Sequence, residues 1–116
     1  MLSKKYRLSK KDFETAFRKK GGYFQVDFLK AKIISNNLGI TRFGISCGTQ
    51  ISKKAVLRNK IKRRINESLR LGSEKIKTGY DVLIMPSPQI IEKTYQDIDQ
   101  TIFVLLNKAN LISVKK

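Results

Sequence analysis

AVLRNKIKRRINESLRL, residues 55–71, decides how the rest of the chain is arranged. Leu57, Ile61, Ile65 and Leu69 recur every four residues within it, the spacing of one apolar stripe on a docked helix. Ser52 is the expected N-cap and Gly72 the expected stop. Seven of the twelve residues from 53 to 64 are Lys or Arg and none is acidic. At about 100° per residue, Arg58, Lys62 and Asn66 flank the stripe on one side and Lys60 and Arg64 on the other. Asn59, Arg63 and Arg70 point away from it. Every exposed side of the first two turns is therefore cationic or amide.

A solvated helix face normally mixes signs, and this one does not. Arg58–Lys62 and Lys60–Arg64 are like-charge pairs one turn apart, each costing roughly 0.2–0.5 kcal/mol. Glu67, one turn after Arg63, offers partial relief. Contact with a polyanion removes the cost. Each neutralised phosphate releases counterions, and arginine adds a planar fork that lysine lacks. Asn59 brings both donor and acceptor groups, suited to a sugar hydroxyl, a base edge or a hydrated metal ion.

The whole chain has the same bias, with 25 basic against 9 acidic side chains in 116 residues and a net charge of +16. Such an excess repels itself in a compact monomer and draws it to nucleic acid or an anionic membrane. The membrane is the weaker partner. No apolar run approaches the ~20 residues of a span, and the opening MLSKKYRLSKKDF lacks the apolar block of a secretory signal. The cytoplasm is the expected compartment. The lone Cys47 excludes an internal disulfide framework and supplies no metal-ligand set; its apolar surroundings suit an inert core thiol.

Working outward from the basic helix, 41–47 (TRFGISC) reads as a strand before it and 81–85 (DVLIM) as a buried strand after it, closed by Pro86 and Pro88. Residues 23–35 are strand-like, but Phe24, Val26 and Phe28 alternate in one phase and Leu29, Ala31 and Ile33 in the other. A bulge or a break near Phe28 reconciles them. Residues 36–39 form a turn. Near the start, Ser9 caps a short helix with Asp12 three residues on, Leu8 and Phe13 form a staple, and Gly21-Gly22 end the element. Ile91, Tyr95, Ile98, Ile102, Leu105 and Ala109 step by four and three along a final helix. The order is α+β: a small sheet with helices packed against it, in one domain spanning 1–116 without an internal repeat or linker.

Further cations, Lys4, Lys5, Arg7, Lys10, Lys11, Arg18, Lys19 and Lys20, load the N-terminus beside Tyr6, Phe13 and Phe17. Aromatics among cations are the pattern for stacking unpaired bases. Phe13 and Phe17, at i and i+4, also fit a core face, and both readings stand at this point.

The segments YRLSKKDFETAF (6–17), RFGIS (42–46), KAVLRNKIKRRINE (54–67) and DVLIM (81–85), in this order, resemble the protein subunit of bacterial ribonuclease P. The resemblance implies an αβββαβα fold, with a mostly antiparallel sheet and a left-handed crossover at the basic helix. It implies as partners the catalytic RNA subunit and precursor tRNA, whose 5′ leader the RNA removes with Mg²⁺, no protein oligomer being required. Arg58, Asn59, Lys62 and Arg63 fall on the family's Arg-Asn-Arg helix motif, which faces the RNA subunit and nearby Mg²⁺, with Lys53, Lys54 and Lys60 beside them. Phe13 and Phe17, with Arg7, fall on the leader-binding cleft. The chain departs from the family at Lys60 and Asn66, where arginine is usual or frequent, at Gly48-Thr49-Gln50, where two lysines often stand, and at Pro86-Ser87.

Cleavage by the protein itself is disfavoured on the residues alone. There is no histidine, and the nine carboxylates are scattered rather than clustered as a two-metal nuclease needs. A non-enzymatic RNA-binding module, such as a ribosome-associated protein or RNA chaperone, is the alternative, and a protein nuclease the third.

Overall fold

The computed structural model describes residues 3–112. Helix α1 (Lys10–Phe17) leads into strands β1 (Gly22–Val26), β2 (Leu29–Ser35) and β3 (Arg42–Ile45); helix α2 (Ala55–Leu71), strand β4 (Tyr80–Pro86) and helix α3 (Tyr95–Lys108) follow. The strands lie in the order β1-β2-β4-β3. β1–β2 and β2–β4 are antiparallel, whereas β3 and β4 are parallel neighbours joined through α2. A parallel pair needs a crossover connection, and the basic helix is that crossover.

The strand break falls at Asp27-Phe28, a two-residue turn that pairs Val26 with Leu29 and holds Asp27 at φ 50°. Each strand then keeps its own alternation. Leu29, Ala31, Val82, Ile84 and Phe43 face α2 and α3, where the stripe residues Ile61, Ile65 and Leu69 meet Ile90, Ile98, Ile102 and Leu105 in the main core. The opposite sheet face carries a smaller cluster, Ala16, Ile34 and Leu83 with Leu8 and Phe13, beneath α1.

Several boundaries differ from the sequence expectation. α2 has the expected limits, but its N-cap is Lys54, without a side-chain cap. Ser52 Oγ accepts instead from the Lys54 amide, closing a turn ahead of the helix. α1 stops at Phe17, so Gly21 precedes the strand and Gly22 begins it, rather than the pair ending the helix. Gly21 is needed for close approach: a Cβ there would stand 2.5 Å from the Ile33 carbonyl oxygen. Ile91 fits the period of α3 but belongs to a 3-10 turn over Pro88–Glu92 and is exposed. α3 starts at a full capping box, in which Thr94 Oγ1 accepts from the Asp97 amide and Asp97 from the Thr94 amide. The strand predicted over 41–47 is shorter, because only Arg42–Ile45 pair with β4.

Gly44 sets how closely α1 lies on the sheet. A Cβ at this position would stand 2.5 Å from Phe13 Cδ2 and 3.1 Å from Leu8 Cδ1. Gly44→Ala should therefore push the Phe13 ring off β3 and cost about 1–3 kcal/mol, as overpacking does. Urea unfolding should give a lower midpoint at an unchanged slope. An unchanged midpoint would mean that α1 rides on the sheet with room to spare.

Candidate nucleic-acid interface

Two surfaces collect the residues singled out by sequence, Arg7 excepted. On the first half of α2, Asn59, Lys60 and Arg63 are exposed, with Lys53 and Lys54 exposed just before it, while Arg58, Lys62 and Arg64 are half-buried. Among the described residues the ion pairs are Arg42 with Asp12, Arg42 with Asp81 and Arg70 with Glu67. The cations of this helical face enter none of them. Glu67, expected to relieve Arg63, is held by the Arg70 fork, which lowers its carboxyl to about 2. Asn66, expected to flank the stripe, is buried.

Arg58 has a structural task as well. Its Nη1 donates to the Ser52 carbonyl at 2.8 Å, tying the loop before α2 to the helix's second turn. Beneath it, Cys47 is buried and its Sγ donates to the Arg58 carbonyl at 3.7 Å. Burial pushes the Cys47 thiol up, against the charges of Lys62 and Arg58, in keeping with an inert core thiol.

The second surface is the part of the outer sheet face that α1 leaves open. Phe13 and Phe17 stack with centroids 6.3 Å apart and planes 14° apart. Their roles divide: Phe13 packs into the small core under α1, whereas Phe17 is 45% exposed at the helix end. Arg7 stands elsewhere, bridging to Phe43 at the outer edge of β3, and is exposed. Beside Phe17, sequence reasoning missed Tyr23 on β1 and Lys30 and Lys32 on β2. Tyr23 pairs directly with Lys32 and is 51% exposed. Lys30 Nζ lies 5.1 Å from the Tyr23 ring centroid, and Lys32 Nζ lies 5.3 Å from both the Phe17 and the Tyr23 centroids. The signal was available, since the alternation that sends Leu29, Ala31 and Ile33 to the core sends Lys30 and Lys32 to the other face.

Five of the carboxylates are held in the framework. Asp81 takes the Arg42 fork and Asp12 lies 3.7 Å from it; Asp97 caps α3; Asp99 accepts from Ser68 at 2.5 Å; Glu67 is on Arg70. Mg²⁺ seeks oxygen ligands in near-octahedral array. Around Asn59 the exposed groups are one amide and several cations, a donor set that does not fit an ion held by the protein.

Comparison with known proteins agrees with this architecture. A family model described as Ribonuclease P matches residues 2–110. The ribonuclease P protein component of Alkaliphilus oremlandii is 33% identical over 102 residues, covering 88% of each chain. That of Clostridium acetobutylicum is 36% identical over 103 residues, covering 87% of this chain and 85% of its own. Among solved structures, the RNase P protein of Staphylococcus aureus superposes with a TM-score of 0.82 at 25% identity, over 93% of this chain and 98% of that one. The Thermotoga maritima RNase P protein gives 0.79 at 25% identity, over 88% and 96%. The chain, an α+β domain with a basic crossover helix, belongs to the ribonuclease P protein family.

Proposed function

We propose that this chain is the RNA-binding subunit of a cytoplasmic ribonuclease P, assisting a catalytic RNA in removing the 5′ leader from precursor tRNA. The observation that carries it is the basic face of α2, where Lys53, Lys54, Asn59, Lys60 and Arg63 are exposed and the cations are without ion-pair partners among the described residues. That face is built for phosphates, which neutralise it at a stroke. In this reading Arg58, Lys62 and the exposed five hold the RNA subunit, and Asn59 meets a sugar, a base edge or water on an RNA-held Mg²⁺. Phe17, with Phe13 behind it, stacks on leader bases. Arg7 touches the leader only where it crosses the β3 edge.

The protein's contribution is positional. With α2 anchored on the RNA, the open sheet face is fixed in space, and a leader lying on it is held relative to the scissile bond. The Mg²⁺ that supplies Lewis-acid chemistry is held by RNA. The test is reconstitution. The chain alone should cut nothing, and added to the catalytic RNA it should restore leader removal at Mg²⁺ concentrations too low for the RNA by itself. If leader processing and the Mg²⁺ requirement are the same with and without protein, the proposal fails. Cleavage of RNA by the pure chain would instead favour a protein nuclease.

A further inference from the structure

Among the described residues Lys32 is the most deeply buried cation, 5% exposed, on the sheet face opposite the main core. Its Nζ donates to the Phe17 carbonyl at 2.6 Å. That oxygen belongs to the last residue of α1, so the ammonium closes the helix's carbonyl end, where a cation is favoured. The rings of Phe17 and Tyr23 lie at equal distance on either hand. None of the ion pairs among the described residues includes it.

A buried ammonium normally has a carboxylate partner, because desolvation is costly and a carbonyl dipole supplies only part of an opposing charge. Lysine closes a helix end equally well from a solvated position. Here its charge is placed instead beneath two rings that are half exposed to solvent, in a chain of net charge +16. The outward sides of those rings are where unpaired bases would stack, and a stacked strand brings its phosphates over the same spot.

We infer that Lys32 is a positioning residue of a single-stranded RNA site on the open sheet face. It fixes Phe17 and Tyr23 from below and leaves its charge to be met by the phosphodiester of the strand stacked on them. This rests on the proposed leader-binding role of that face and adds Tyr23, Lys30 and Lys32 to it.

The experiment measures binding of a short fluorescent oligouridylate to the full-length chain over a range of salt, for the parent and for Lys32→Gln, Lys32→Arg and Phe17→Ala. Glutamine retains a donor for the Phe17 carbonyl and removes the charge. K32Q should bind about tenfold more weakly at low salt, with a log–log salt slope shallower by up to roughly 0.7, one phosphate's share for a single strand. K32R should keep the parent slope. On the unaltered protein, the Lys32 Nζ resonance should move when the oligonucleotide is added, a readout independent of whether any variant folds. If F17A weakens binding while K32Q retains the parent affinity and slope, Lys32 merely closes the helix and this inference falls alone. A Lys32 resonance unmoved by saturating oligonucleotide would overturn it in the same way. If F17A also binds like the parent, the leader-binding reading of the whole face falls with it.

Discussion

Replacing Lys54, Lys60 and Arg63 together by alanine should weaken binding to the catalytic RNA by roughly 10³-fold at 50 mM salt and make the salt slope shallower by two to three units. All three are exposed, and none enters an ion pair among the described residues. The choice avoids two neighbours. Arg58 donates to the Ser52 carbonyl, so its loss would loosen the loop before α2 as well as remove a charge. Lys62 is half-buried beside Cys47. The triple variant should melt no lower than the parent. Removing Lys60 ends its repulsion with Arg64, a gain of roughly 0.2–0.5 kcal/mol, and alanine is the best helix former. Weaker binding with equal or higher stability is the signature of a face kept for its ligand. A parent-like salt slope, measured by filter binding against ionic strength, would place the phosphates elsewhere.

That face was legible in the sequence because a helix repeats its geometry every turn. The four-residue recurrence of Leu57, Ile61, Ile65 and Leu69 gave both the bounds of α2 and, by exclusion, the side left to solvent. Where the reading slipped, local rules competed. Ser52 has the chemistry of a cap but spends it on a turn two residues early. Ile91 falls in phase with α3, yet the chain between Pro88 and Thr94 is a tight turn, and the phase is coincidence. Other features belong to tertiary structure alone. No local pattern says that β4 inserts between β2 and β3. The meeting of Phe17 and Tyr23 over Lys32 likewise depends on how α1 crosses the sheet. Face parity along β2 places the two lysines on the outer side; only the fold shows that one of them is roofed.

Asp81→Ala should be the most damaging single substitution away from the apolar core, lowering stability by about 3–5 kcal/mol, the cost of breaking a buried pair from one side. Against a total of roughly 5–15 kcal/mol for a domain, that is enough to leave part of the chain unfolded. Asp81 is the second residue of β4 and lies directly opposite Arg42 on β3, the first pair of the parallel ladder. Its Oδ1 accepts from Arg42 Nε at 3.0 Å and from Asn36 Nδ2 at 2.8 Å, and its Oδ2 accepts from Arg42 Nη2 at 2.9 Å. Asn36 in turn donates to the Ile40 carbonyl and accepts from the Leu38 amide, shaping the turn between β2 and β3. One carboxylate therefore joins the neighbouring strands β2, β4 and β3 at their common end, and holds the proton of Arg42 more tightly than usual. Arg42 also reaches Asp12 on α1 at 3.7 Å, so a released guanidinium loosens the helix that carries Phe13 and Phe17. Asp81→Asn should recover little, because its amide would set a donor against the arginine fork. Arg42→Met combined with Asp81→Leu should recover more than half of the loss, since an apolar pair leaves no charge stranded. Urea unfolding of the three variants decides the matter: a loss below 1 kcal/mol for D81A would mean that the strand order is held by the core alone.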